Sequence, residues 1–260
     1  MARIAFTIIL NGLHHLKHNN YLEYLNPLFD KWVFVDGAVH ATGSTGWCVD
    51  VPQAYHNNGK SIDGTVEFLK TFKNVTVVEC NSVWPNKDEK VNAAIDEIRK
   101  THTSGFLWQI DADEQWDIGD IIDAEDVLIL EKARMARFEC NYFVGPGLIA
   151  KGIWGEGSGV DGLKYNRLWN WSGEYFKSHE PPELYGGNGI ETVLPQRFNH
   201  YAYYFEDDVK FKQIFYKDSV PEDLIDRWKS IQNGSYPKTI KDLLGETCYG
   251  QTNTTIEEIC

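Results

Sequence analysis

From Met1 to Ile110, apolar and polar positions alternate between two periods. Ile4 to Leu10 is a nearly continuous apolar run that stops at Asn11-Gly12, the pattern of a strand buried on both faces. Tyr21, Leu22, Leu25, Leu28 and Phe29 then recur at helical spacing. Trp32 to Val35 predicts a second strand, ending at Asp36-Gly37. Ser61 reads as the N-cap of a helix whose apolar positions are Ile62, Val66, Phe68 and Leu69. Val75 to Val78 is a third strand, and Lys87 to Lys100 a helix with Val91, Ala94, Ile95 and Ile98 on its apolar side. Phe106 to Ile110 is a fourth strand, delivering Asp111-Ala112-Asp113-Glu114 at its end. Strands alternating with helices in this way predict a parallel α/β sheet with right-handed crossovers.

Beyond Trp116 the pattern changes. Ala136 to Val144 is strand-like, and Gly145 to Gly162 carries seven glycines in eighteen residues, which predicts loop. Strand-like segments return at Leu163 to Trp169 and Gln196 to Phe205, followed by amphipathic helices at Asp207 to Lys217 and Pro221 to Asn233. The tail after Gly234 is polar and turn-rich, and no regular structure is predicted for it. No repeat or linker divides the 260 residues, so one α/β domain with a loop-rich second half is expected.

Charge changes this picture more than composition does. Lys and Arg number 25 against 38 Asp and Glu, a net charge of −13, which argues against a nucleic-acid-coating surface. An acidic protein that handles an anionic substrate needs a local source of positive charge. The five cysteines (Cys48, Cys80, Cys140, Cys248 and Cys260) are scattered without a CxxC pair, so free thiols in a reducing cytosol are expected and a zinc ribbon is excluded. No apolar run is long enough to span a membrane. The N-terminal MARIAFTIIL has one Arg, a short apolar run and no small-residue cleavage site, so it reads as a buried strand and not a signal peptide. A cytoplasmic protein, or one peripheral to a membrane, is the expectation. The sequons at Asn74, Asn233 and Asn253 are then chance matches.

Ligands of parallel α/β sheets bind beyond the carboxyl ends of the strands. Asn11, Asp36 and Asp111 to Glu114 occupy three such ends. Asp-x-Asp on an extended backbone puts two carboxylates on one side, which suits a hard divalent cation such as Mg²⁺ or Mn²⁺. The alternative for the same residues is a solvated acidic turn capping the next helix.

At these residues the chain resembles family 2 glycosyltransferases of the GT-A fold, nearest to the lipopolysaccharide-core β-glucosyltransferase-like members. FLWQIDADEQW at 106–116 resembles the family's metal strand, WVFVDGAVHATGSTG at 32–46 its second strand, and KDEKVNAAIDEI at 87–98 the helix between. NYFVG at 141–145, a Trp- and Gly-rich segment to Asp161, YNRLWNW at 165–171, SHEPPEL at 178–184 and FNHYAYYF at 198–205 follow in the family's order, so the likeness spans roughly positions 3 to 217. Two features depart from the pattern: the usual Asp-Asp after the second strand is Asp36-Gly37, and the 145–160 loop is longer and richer in glycine. The resemblance implies a single GT-A domain over 1–260. A Rossmann-like nucleotide-sugar-binding half covers 1–115, a mixed-sheet acceptor half 116–217, and a helical and irregular tail 218–260.

It also implies a metal-dependent, inverting, hexosyl-type transfer from a UDP-, GDP- or dTDP-sugar to a hydroxyl of a glycan or glycoconjugate. Asp113 is then the first metal ligand, Asp111 reaches the metal through water or holds the ribose, and His200 completes the metal shell or touches the diphosphate. Asn11 and Asp36 contact base and ribose. Lys90 and Asn92 assist the nucleotide, or Lys90 belongs to a surface helix face with ordinary charge pairing. Arg167 pairs with the diphosphate or bridges strands. Glu180 is the general base, with Asp161 the runner-up. His14, His15 and His18 read as loop histidines near the nucleotide pocket, since consecutive residues point apart on regular elements and no carboxylate follows at ligand spacing. Aromatic residues are 13% of the chain, and Trp154, Trp169, Trp171, Tyr201, Tyr203 and Tyr204 are candidates for stacking on an acceptor sugar or for core packing.

Two rival readings stay open. A sugar-nucleotidyltransferase uses a related scaffold but requires a Gly-rich basic loop after the first strand, where this chain has NGLHHLKHNN. A catalytically inactive carbohydrate-binding GT-A domain would keep the fold but has no need of Asp111, Asp113 and Glu180.

Overall fold

The computed structural model describes residues 1–153, 164–217, 219–234, 238–245 and 253–259. In chain order the first half holds β1 (Arg3–Ile9), α1 (Leu13–Lys17), α2 (Tyr21–Leu25), β2 (Lys31–Asp36), α3 (Thr65–Leu69), β3 (Val75–Glu79), α4 (Lys87–Arg99) and β4 (Gly105–Gln109). The middle holds β5 (Glu114–Gln115), α5 (Ile118–Leu130), β6 (Met135–Gly145), β7 (Leu148–Ile153), β8 (Tyr165–Trp171), β9 (Phe176–His179), β10 (Pro182–Leu184) and β11 (Glu191–His200). The chain closes with α6 (Glu206–Phe215), α7 (Leu224–Gln232), β12 (Lys238–Thr239), α8 (Ile240–Leu244) and β13 (Asn253–Glu258).

The apolar run at the N-terminus becomes a central strand. β1 pairs in parallel with β2 on one side and β4 on the other, and β3 adds in parallel outside β2. Because alternate side chains leave a strand on opposite faces, β1 feeds two cores. Ile4 and Phe6 pack with Val33, Val35 and Leu107 under Val91, Ala94, Ile95 and Ile98 of α4. On the other face Ala5, Trp32, Phe34 and Trp108 meet Leu22 and Leu25 of α2 and Ile121, Ala124 and Leu128 of α5. The α4 start is fixed by Asn86, whose side chain accepts the Glu89 N–H at 2.8 Å.

Past β4 the sheet turns antiparallel, running β4-β8-β6-β7-β13-β12, while β11 lies parallel to β6 and antiparallel to β5. The sheet is therefore mixed, with its parallel half built by the chain up to the end of β4.

Three expectations are corrected. The helix after Lys60 begins only at Thr65, because Ser61 is spent on the Asp36 carboxylate and Asp63 Oδ1 accepts the Thr65 N–H at 3.0 Å instead. The start of the glycine-rich segment is not loop: Gly147, at φ +72°, turns the chain so that Leu148–Ile153 pairs back on β6. The described part of the tail after Gly234 is structured. Ile240, Leu243, Leu244 and Ile256 are buried against Val144, Leu148, Val209, Leu224 and Trp228, and β13 adds a strand to β7. The tail's apolar residues are too sparse to show a period, and β13 finds its strand partner far earlier in the chain. Among the described residues no helix is long and apolar enough to cross a membrane.

Candidate active site

The carboxyl ends of β1, β2 and β4 open onto a cavity of about 490 Å³. Its walls come from the residues that follow those strands (Asn11, Gly37 and Asp111 to Asp113), from Tyr165 to Arg167, from His179 to Pro182, and from the inner face of α6.

Asp111 enters the cavity held by a cation. Arg167 Nη2 donates to Asp111 Oδ2 at 2.8 Å and to Glu114 Oε1 at 2.6 Å, and Arg167 Nε donates to both Glu114 oxygens at 2.9 and 3.1 Å. The β6–β8 pairing passes from Ala136–Leu168 to Arg137–Asn166, so Arg167 is the extra residue of a β-bulge, a device that re-aims a side chain. Its guanidinium also stacks 5.0 Å from the Tyr165 ring centre. Of the two roles expected for Arg167, the structure has it bridging elements. Glu114, to which no role is assigned from sequence, is fully buried. Burial pushes its carboxyl upward, Arg167 opposes this, and Asp111 and Asp113 add to the push.

Asp113 stands in a different setting. His200 Nε2 lies 3.4 Å and Lys212 Nζ 3.7 Å from its Oδ2. Burial disfavours its charge, but the attraction and hydrogen bond of His200, with Lys212 and His15, prevail and hold the carboxyl well below the usual range. The second nitrogen of His200, Nδ1, is buried without a hydrogen-bond partner among the described residues. Asp113 and His200 thus offer an O,N pair at the cavity wall. That pair fits a Mn²⁺-type ion, which accepts mixed nitrogen and oxygen donors.

The remaining residues singled out from sequence fall into two groups. Asn11 reaches the cavity wall, but its side chain donates to Tyr55 O at 2.6 Å and accepts the Ile62 N–H at 2.8 Å, stitching the 55–62 segment to the end of β1. Asp36 is buried and accepts from the Ser61 N–H at 3.0 Å and from the Ser61 hydroxyl; burial raises its pKa against those bonds. Lys90 is not on a surface face: it is buried, and its ammonium donates to Ile9 O at 2.8 Å and to Gly37 O, tying the ends of β1 and β2 together. Desolvation brings its pKa down to about 7. Asn92 exchanges two 2.8 Å bonds with the Phe176 backbone and lies outside the cavity wall. Asp161 and Trp154 lie outside the described residues.

Glu180 stands exposed at the cavity edge, on the turn between β9 and β10, where its backbone N–H donates to Ser44 Oγ at 3.2 Å and the Glu180–Pro181 peptide is cis. Desolvation raises its pKa, with Asp111 and Asp88 adding and Lys87 and Arg167 opposing. Next to it the buried His179 is held neutral, its pKa brought down to about 3 by burial first and by Lys87 second. Lys87, at the first turn of α4, lines the cavity, as do Lys164 and Lys212. These three lysines supply local positive charge beyond the metal, Lys90 and Arg167 considered from sequence. Nothing in their spacing marks them, since they come from separate parts of the chain.

His14 and His15 overturn an expectation. They do not diverge as loop histidines: both turn their Nε2 atoms to Asp208, at 3.0 and 2.8 Å. The carboxylate that the local sequence lacks is supplied by α6. His18 lies apart, edge-on to Tyr201 and Phe205.

No protein-family model matches the sequence, and no curated protein matches it. Likeness appears in three dimensions. The structure of S. aureus TarS 1-349 in complex with UDP-GlcNAc matches 89% of this chain and 71% of that one, at 12% identity and a TM-score of 0.50. The same protein in complex with UDP matches 89% and 70%, at 12% identity and a TM-score of 0.43. A Francisella tularensis 2-C-methyl-D-erythritol 4-phosphate cytidylyltransferase matches 65% of this chain and 73% of its own, at 13% identity and a TM-score of 0.36. With its parallel β3-β2-β1-β4 half continued by antiparallel strands, and its likeness to the structure of TarS 1-349, the chain has the GT-A fold.

Proposed function

We propose that this chain transfers a sugar from a nucleoside diphosphate sugar to a hydroxyl of a carbohydrate acceptor. One observation carries the reading. At the strand ends where such folds take nucleotides, the cavity combines the ionised Asp113 beside His200 with Lys87, Lys164 and Lys212. A diphosphate needs that mixture of cations and cation-binding groups. The TarS structure with a TM-score of 0.50 was solved with UDP-GlcNAc, so UDP-sugars are the first donors to test.

Asp113 and His200 would hold a Mn²⁺ or Mg²⁺ ion, which supplies Lewis-acid stabilisation of the departing diphosphate. Arg167 holds Asp111 toward the cavity, where its other oxygen, approached by Gln109 only at 3.5 Å, accepts from a donor hydroxyl. Lys87 and Lys212 offset phosphate charge. Glu180 takes the acceptor proton, and its raised pKa makes it a stronger base than an ordinary exposed glutamate. Inversion, a hexosyl group and a place nearest the lipopolysaccharide-core β-glucosyltransferase-like members are the finer reading, which rests on the sequence resemblance. The nucleotidyltransferase alternative is disfavoured because the segment after β1 forms α1 and is not a glycine-rich phosphate loop.

Calorimetry with UDP-, GDP- and dTDP-sugars, each with and without Mn²⁺, tests the proposal. Metal-dependent binding of one nucleotide class is expected, and absence of binding to all of them would sink it.

A further inference from the structure

We propose that His14, His15 and Asp208 form a second cation site, selective for a divalent first-row transition ion of the zinc type. The three donor atoms lie within 4.8 Å of one another, and no other three His, Cys, Asp or Glu groups among the described residues converge in this way. His14 Nε2 is 3.0 and 3.1 Å from the two Asp208 oxygens, and His15 Nε2 is 2.8 Å from Oδ2. The two imidazoles sit with ring centres only 4.3 Å apart, and both meet the Phe205 ring edge-on at 5.0 and 5.1 Å, which limits how far they can turn away. Two bases aimed at one carboxylate form a donor set of two nitrogens and one oxygen.

Tetrahedral zinc with ligand bonds of about 2.0–2.1 Å separates its donors by roughly 3.4 Å, so the His14 and His15 approaches to Asp208, at 3.0 and 2.8 Å, each have to open by roughly half an ångström to admit the ion. Imidazole nitrogen favours Zn²⁺, Co²⁺ or Ni²⁺ over Mg²⁺ or Ca²⁺, which prefer all-oxygen shells. The site differs from the Asp113 position in its share of nitrogen, with two imidazoles to one carboxylate where Asp113 and His200 offer one of each. His15 and Asp208 both line the cavity, so the fourth coordination position faces it. The ion would also clamp α1, which follows β1, to the first turn of α6, joining two elements from opposite ends of the chain.

The test needs neither donor nor acceptor, so it is independent of the transferase reading. Chelator-treated protein is titrated with Zn²⁺ by calorimetry and with Co²⁺ by visible absorption, both in the native chain and in Asp113→Asn, which removes the carboxylate of the other cavity pair. One Zn²⁺ per chain should bind in both. Binding should weaken at least tenfold in His14→Ala and in Asp208→Asn, and bound Co²⁺ should give tetrahedral d–d bands without thiolate charge-transfer bands. The His14 side chain is 35% exposed, so its removal leaves no buried void; His14→Gln, with folding checked by circular dichroism, guards against a misfolded Asp208 variant. Three results overturn the proposal: no stoichiometric binding, binding unchanged in the His14 variants, or a Co²⁺ spectrum showing cysteine ligation.

Discussion

Arg167 donates to Asp111 across 2.8 Å, so the first carboxylate of the Asp-x-Asp pair is an ion-pair partner before any ligand arrives. The second, Asp113, faces His200 and Lys212 instead. Two acids separated by a single alanine thus have different work, and the difference comes from β8, β11 and α6, not from the strand that carries them.

Breaking the Arg167 anchor leaves Glu114 buried without its cation. Arg167→Met is expected to destabilise the fold by about 3–5 kcal/mol, the usual cost of removing one partner of a buried pair. Adding Glu114→Gln should recover much of that loss. Urea unfolding of the single and double variants measures both.

Asp113→Asn should retain the fold and lose the effect of Mn²⁺ on nucleotide binding. Removing the metal from the native chain with a chelator should reproduce the same weakened binding. Calorimetry with UDP in the two cases compares them directly. Equal Mn²⁺ enhancement in the variant would remove Asp113 from the metal site.

Glu180→Gln should lower the transfer rate by roughly 10²–10⁴-fold while donor affinity stays near native. Because the Glu180 pKa is raised, the acid limb of the native rate profile should fall above the ordinary glutamate value of 4.5, activity being lost as pH drops through it. A pH–rate profile of kcat, taken beside the variant, reads this.

Lys90 gives a stability profile of unusual sign. Its pKa is about 7 in the fold against an ordinary 10.5, so between those values the unfolded chain holds a proton that the folded chain has shed. Native stability should therefore climb relative to Lys90→Met as pH rises from about 7 to 10.5. Thermal or urea midpoints of both proteins across that range check it.

Ile256 lies in the tail strand and is fully buried. Ile256→Ala should cost about 2–5 kcal/mol, as for other large-to-small core changes. An effect no larger than that of an exposed control such as Ile259→Ala would mean the tail is not part of the core.

Much of the architecture is legible from the residues alone. The short apolar runs and the period-3.6 segments between Met1 and Ile110 locate β1, α4 and β4 to within one residue at each end, because central parallel strands are apolar on both faces and their covering helices on one. Asp111 and Asp113 are read onto a strand end for the same reason, and both line the cavity there. The tertiary structure decides what depends on distant partners. Glu114 can be buried because a bulge in β8 aims Arg167 at it. Lys90 turns inward because two strand-end carbonyls await it, and the tail forms a strand because β7 presents an open edge. His14 and His15 point the same way because α6 brings Asp208 to them. Periodicity reports the face a residue presents to its own element. Pairing between segments far apart in the chain is set by how the elements pack, and no local pattern encodes it.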